Sequence, residues 1–256
     1  MKSKPSQIPP LWLAIDIGNT NIHIGVFEED ILHATYLVRG GNPADFVKFL
    51  DANVFAKVHA TIISSVNPQV ESYVTESIQK HLSIKSLSIG KDIPVYLPIL
   101  TDNPEKVGID RLVNALAAFE RVKGWTLVID SGTAITIDVV NEQGAFLGGI
   151  IAPGVGMASK ALNHYTALLP EISISKPGNV LGKNTQDAIN SGIYWGTVGL
   201  VSKLVNMLCA ELGSQPEIVA TGGNAGMLAL EIPQISAVFP YLTLDGIKIA
   251  YMTSLL

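Results

Sequence analysis

Leu13-Ala14-Ile15-Asp16-Ile17-Gly18-Asn19-Thr20-Asn21, near the start of this chain, and Leu127-Val128-Ile129-Asp130-Ser131-Gly132-Thr133, near its middle, follow one plan. In each, an apolar run reaches an aspartate, a glycine follows two places on, and a strand rich in Ile, Thr or Val comes next. Apolar runs interrupted by Gly, Asn and Thr predict strand, tight turn and second strand. The recurrence, with aspartates at 16 and 130 of 256 residues, predicts two related lobes.

Outward from the first copy, Leu11 to Phe27 reads as a strand pair and Ile31 to Arg39 as a third strand. Pro43 to Leu50 reads as a helix, Ala60 to Ser65 as a buried strand, Pro68 to His81 as a helix and Ser86 to Ile89 as a strand. Pro104 is expected to open a helix with Leu112, Leu116 and Phe119 on one face. The plan restarts at Thr126. Strands followed by helices in both halves give an α/β fold. The lobes are expected to span 11–118 and 119–256, with 1–10 as a loose leader because Pro5, Pro9 and Pro10 interrupt it.

Composition narrows the function. Hydrophobic residues make up 48% and charged residues 15%. The uncharged stretches Gly144 to Ser159 and Ala188 to Ser202 are broken by Gly, Pro, Asn or Ser, so no membrane span is expected. The excess apolar content suits a buried sheet and a subunit interface. A single cysteine, Cys209, excludes an intrachain disulfide and favours the reduced cytoplasm. A formal charge of −5 argues against nucleic acid as the main partner, although a nucleotide can still be held by backbone N–H groups and a metal.

Neither a Walker loop nor a strand-linked G-x-G-x-x-G occurs. In their place, Gly18 lets the backbone approach an anion, Asn19 and Thr20 offer donors, and Asp16 can hold Mg²⁺ through water. The Asp130 turn would face the first across a cleft. An ordinary hairpin with an Asx-turn explains either turn taken alone.

Gly108-Ile109-Asp110-Arg111 stands at a helix opening. Helix N-termini stabilise anionic groups, and on spacing alone that structural account is favoured for Asp110. The chemical alternative is a proton acceptor for phosphoryl transfer to an alcohol. His23 could bond a phosphate or fill a sheet edge, and His164 could border a pocket or face solvent. Gly222-Gly223 could be a base-and-ribose loop or a plain turn.

These segments, in order, resemble the type III pantothenate kinase family. Asp16 to Asn21, Asn103 to Arg111, Asp130 to Ala134, Gly148 to Gly154, Gly182 to Thr185 with Ala188, Ile189 and Gly192, Thr221 to Asn224 and Pro240 to Gly246 all carry the likeness. The resemblance implies two actin-like (ribonuclease H-like) lobes with mixed five-stranded sheets and a nucleotide cleft. It implies ATP-dependent phosphorylation of pantothenate to 4′-phosphopantothenate in coenzyme A biosynthesis.

By the same resemblance, Asp110 accepts the substrate proton, and Gly108, Ile109, Asp110 and Arg111 line the pantothenate pocket. Thr185 contacts pantothenate across a homodimer interface. Asp16, Ile17, Gly18, Asn19, Thr20, Asn21, Ile22 and His23 bind the ATP phosphates with Thr133 opposite, Asp16 lies nearest Mg²⁺, and Asp130 holds K⁺ or NH₄⁺. The family's pocket-covering Tyr has no assigned counterpart, since Leu100-Thr101-Asp102-Asn103 stands in that stretch. The alternatives are another small-molecule kinase of the superfamily and a non-enzymatic transcription-accessory relative.

Overall fold

The computed structural model describes residues 11–40, 42–52, 55 and 58–256. The leader expected at 1–10 lies outside the described residues. The chain divides into two compact units. The first comprises Met1–Pro98, Asp102–Ala117 and Leu242–Leu256, and the second comprises Ile99–Thr101 and Ala118–Tyr241. The single cut expected between 118 and 119 thus omits two features: Ile99–Thr101 belongs to the second unit, and the last helix returns to the first, because its apolar residues pack there.

In the first unit the strands are β1 (Leu11–Ile17), β2 (Asn21–Glu28), β3 (Ile31–Arg39), β4 (Ala60–Ser65) and β5 (Leu87–Ser88). They form one sheet in the order β3-β2-β1-β4-β5. β1 pairs antiparallel with β2 and parallel with β4, so the sheet is mixed. Helices α1 (Pro43–Ala52) and α2 (Pro68–Leu82) belong to this unit. Pro68 opens α2, where the Asn67 side chain accepts the Val70 N–H, and Ser83 in the left-handed region closes it.

Alternation along β1 separates two cores. Leu13, Ile15 and Ile17 pack with Phe46 of α1 and Val70, Val74 and Ile78 of α2. Trp12 and Ala14 point the other way. They pack with Val113 and Leu116 of α3 (Ile109–Val122) and with Ile247, Ala250 and Tyr251 of α7 (Leu242–Ser254). A strand covered on both faces reads as a continuous apolar run, which is why Leu11–Ile17 shows no polar alternation.

The second unit has strands β6 (Thr126–Ser131), β7 (Ala134–Val140), β8 (Phe146–Pro153), β9 (Glu217–Thr221) and β10 (Ala237–Val238), ordered β10-β9-β6-β7-β8. β6 pairs antiparallel with β7 and parallel with β9, reproducing the first sheet strand for strand. Its helices are α4 (Val155–Tyr165), α5 (Thr185–Leu212) and α6 (Ala225–Glu231). Leu127, Ile129, Ile135 and Ile137 share a core with Val198, Val201 and Val205 of α5 and Leu228 of α6. The two related lobes expected from the repeat are therefore present as two mixed five-stranded sheets flanked by helices.

Three local expectations need correction. Pro104 opens only a three-residue 3-10 turn, Pro104–Lys106. Val107 then returns to extended backbone, and the α-helix begins at Ile109. Second, β2 lies between β1 and β3, so His23 is not on a sheet edge. Third, α5 is long and apolar enough to cross a membrane by length and composition. Its Asn, Ser and Gly residues do not break it, since Asn184 caps its start through the Asp187 N–H and Gly213 (φ 60°) closes its end. Only 22% of its apolar window is buried, and that part, with Val198, Val201 and Val205, joins the core of the second unit.

Candidate active site

Asp16 is the penultimate residue of β1, and Asp130 is the penultimate residue of β6. Identical strand orders place the two at equivalent points of the two sheets. Across the first sheet, Asp16 is opposite His23 on β2 and level with Ser64 on β4. Directly paired residues share a face, so His23, Asp16 and Ser64 form a row on the α3 and α7 side. In the second sheet the matching row is Thr136, Asp130 and Thr221.

The turn after β1 is closed by Gly18 N–H donating to the Asn21 carbonyl at 3.0 Å, and Gly40 N–H ties it to β3 through the Thr20 carbonyl at 2.9 Å. Asn19 and Thr20 are exposed at its tip. Ile17 and Ile22, both expected to bind phosphate, have side chains in the core beneath α1 and α2. Only their backbone could meet a ligand. Burial lowers the pKa of His23 from its ordinary 6.5.

Asp110 occupies the first turn of α3. Its Oδ1 accepts the Arg111 N–H at 2.8 Å. Burial raises its pKa above the ordinary 3.8, against the lowering effect of that N–H and of the Arg111 charge. A Cβ on Gly108 would stand 3.8 Å from Val66 Cγ1, which puts the Gly108–Arg111 stretch beside the end of β4. The first unit therefore gathers Asp16, His23 and the Gly108–Arg111 stretch at the strand ends of one sheet. A carboxylate whose burial raises its proton affinity is suited to accept a proton.

In the second unit, Gly132 N–H bonds the Ala134 carbonyl at 3.0 Å and Gly154 N–H bonds the Thr133 carbonyl at 3.1 Å. A Cβ on Gly154 would be 2.4 Å from the Thr133 carbonyl oxygen. Gly222 (φ +89°) closes the other side, where a Cβ would be 2.5 Å from Asp130 Oδ1. The Asp130–Thr133 turn is thus clasped between two glycines. Thr185 is exposed at the start of α5, and a cavity of about 360 Å³ beside it is lined by Lys176, Asn179, Lys183, Asp187 and Asn190, among others.

A twofold strand plan with an aspartate closing each first strand limits the possible relatives, and the sequence match decides among them. Residues 12–207 match the type III pantothenate kinase family. The chain belongs to that family. A type III pantothenate kinase of Koribacter versatilis is 37% identical, with 94% of this chain and 95% of that one covered. One from Myxococcus xanthus is 38% identical, covering 94% and 98%.

Among solved structures, a Campylobacter jejuni protein described as a conserved Baf family transcriptional activator superposes with TM-score 0.61 at 21% identity, covering 94% of this chain and 98% of that one. The ethanolamine utilization protein EutJ of Carboxydothermus hydrogenoformans gives 0.53 at 16%, covering 96% and 91%. These two likenesses show the shared fold.

Within this pantothenate kinase family framework, the sequence did not show what two groups do in the fold. Gly154 and Gly222 were legible as glycine-rich turns, but not as the two sides of a clasp around Asp130–Thr133. Ser64 was read only as the end of a buried strand. The polar pair Ser64-Ser65 closing a β-branched run was the available signal. His164 is exposed in the last turn of α4, edge-to-face with Tyr165 at 4.8 Å.

Proposed function

We propose that this chain transfers the γ-phosphoryl group of ATP to the hydroxyl of pantothenate, giving 4′-phosphopantothenate and ADP at the entry to coenzyme A biosynthesis. Family membership and relatives named for this activity support the substrate. The observation that carries the chemistry is Asp110: a carboxylate at a helix start, with its proton affinity raised by burial, in a stretch that abuts the strand ends where Asp16 lies.

In this reading the pantothenate hydroxyl attacks the γ-phosphorus in line. The new O–P bond forms as the bond to the β-phosphate oxygen breaks, ADP leaves, and the hydroxyl proton passes to the Asp110 carboxylate. Gly108 to Arg111 line the pantothenate pocket, and the Arg111 guanidinium offers a planar fork for an anionic group. The backbone and polar side chains of Asp16 to His23 bind the ATP phosphates. Thr185 contacts pantothenate from the partner subunit of a homodimer. The exposed Leu200 and Met207 on α5 support such a dimer.

The cations fit the residues present. Among the described residues no three His, Cys, Asp or Glu side chains form a metal cluster. A divalent ion would therefore rest on the nucleotide phosphates, water and one carboxylate, a donor set Mg²⁺ favours, and Asp16 is that carboxylate. Asp130, whose Oδ1 lies close against the bare Gly222, is the carboxylate that would hold a monovalent ion, K⁺ or NH₄⁺. When bound, such ions neutralise the charge of the transferring phosphoryl group. A cytoplasmic location accords with Cys209 as the lone thiol.

The test is ADP release by the purified chain with MgATP, with and without pantothenate, in K⁺, NH₄⁺ or Na⁺ buffer, with sugars and acetate as control acceptors. ADP formation that needs pantothenate and a K⁺- or NH₄⁺-sized ion is expected. Release with a sugar but not with pantothenate would assign the chain another acceptor.

A further inference from the structure

Hydroxyls near the end of β4 are satisfied, with one exception. Thr61 Oγ1 donates to Ser86 Oγ at 2.8 Å. Ser65 Oγ accepts the Asn67 N–H at 3.2 Å. Ser64, between them and fully buried, has no hydrogen-bond partner for its Oγ among the described residues. A buried hydroxyl without a partner is unfavourable, and native structures keep few of them without a bound water or ligand.

The position of Ser64 indicates which ligand this is. Ser64 is level with Asp16 in the parallel β1–β4 pairing, so their side chains leave the sheet on the same face. Neighbouring strands are about 4.8 Å apart, and the hydroxyl and carboxylate do not bond each other, a spacing that suits one bridging water. The second unit repeats the pairing, with Thr221, also buried, level with Asp130. In both sheets, then, the carboxylate that closes the first strand has a hydroxyl residue beside it on the parallel neighbour.

We propose that Ser64 is a positioning residue of the nucleotide–metal site, its hydroxyl holding a water of hydration of the divalent cation assigned to Asp16. The inference rests on that assignment. A divalent ion of the Mg²⁺ type retains several waters and releases them reluctantly, so residues that orient those waters set its affinity as much as direct ligands do. Ser64 is one residue of the β4 end beside which the Gly108–Arg111 stretch lies, so the water it fixes belongs to the same corner of the unit.

Mn²⁺ replaces Mg²⁺ as the probe, with free Mn²⁺ read by electron paramagnetic resonance as it titrates the protein–ADP complex. Ser64→Ala is expected to weaken Mn²⁺ about tenfold. Metal-free ADP affinity should hold within twofold, and Tm should equal or exceed that of the parent, because an unsatisfied group is removed. Ser64→Cys, close in size but a weak donor, should behave as Ala does; it supplies the answer if the Ala variant folds poorly. Unchanged Mn²⁺ affinity in both variants, while Asp16→Asn weakens it, would overturn the role of Ser64 and leave the active-site reading standing. Unchanged affinity in Asp16→Asn as well would remove the Asp16 assignment and this inference with it.

Discussion

A Cβ placed on Gly108 would lie 2.6 Å from Asp110 Oδ1. The same oxygen already accepts the Arg111 N–H at 2.8 Å, so the carboxylate is folded back over Gly108 and fixed there. Any side chain at 108 must drive Asp110 to another rotamer. Gly108→Ala is expected to leave Tm nearly unchanged and to lower kcat about a hundredfold, the scale of a misplaced reacting group. Steady-state kinetics with pantothenate, alongside a thermal melt, check it. Retained kcat would show that Asp110 needs no such orientation.

Asp110→Asn separates chemistry from stability. The folded pKa of Asp110 is raised by burial. Its stability contribution is therefore full below the ordinary value of 3.8 and is lost as pH rises through the higher folded value. At neutral pH the ionised group is a burden that Asn removes. The variant should melt at or above the parent temperature at pH 7, with the difference shrinking toward pH 4, while turnover falls by about two orders of magnitude or more. Near-normal turnover would take Asp110 out of the mechanism.

How far the sequence could be read follows from what each residue type encodes. Both first strands, their aspartates and the twofold plan were legible, because a strand buried on both faces must be written as an apolar run and its end as a polar break. The start of α3 was misread. Pro104 carries a general helix-opening signal, but the chain uses it for a 3-10 turn and starts the helix after Gly108. The return of α7 to the first unit rests on Ile247, Ala250 and Tyr251 meeting Trp12, a contact between the two chain ends that no local pattern records. The Ser64-Ser65 pair marked the polar end of the strand, but that the Ser64 hydroxyl is orphaned was illegible, because it is defined by what does not surround it.

Gly222 tests the clasp around the second turn. Its φ of +89° disfavours any L side chain, and a Cβ there would meet Asp130 Oδ1 at 2.5 Å and the Ser131 carbonyl carbon at 2.7 Å. Gly222→Ala is expected to cost about 2 kcal/mol or more, since the left-handed region alone costs about 1–2 kcal/mol and the contacts add to it. Urea unfolding measures the loss. If Asp130 holds K⁺ as proposed, the K⁺ concentration for half-maximal rate should rise as well, because the displaced group is the Asp130 carboxylate. Loss of stability with an unaltered K⁺ response would confine Gly222 to a structural role.

The irregular chain between α4 and α5 is anchored by a charge whose effect depends on pH. Lys176 Nζ lies 2.7 Å from Glu231 Oε1, which also accepts the Tyr194 hydroxyl at 2.8 Å. The Lys176 bond first, then the Tyr194 bond, hold the Glu231 pKa below its ordinary 4.5, although burial works against them. Burial, reinforced by Glu231, pushes the Tyr194 hydroxyl up to about 12, so it stays a donor at every working pH. A depressed carboxylate contributes stability above its unfolded pKa and loses it as pH falls through the folded value. The melting-temperature gap between the parent chain and Glu231→Gln should therefore be widest near pH 7 and close as pH drops below about 4.5. Lys176 is largely exposed, so salt should narrow the gap by screening that partner, while the Tyr194 bond survives. A gap that stayed constant from pH 7 to pH 3 would mean that the Glu231 charge does not anchor the segment.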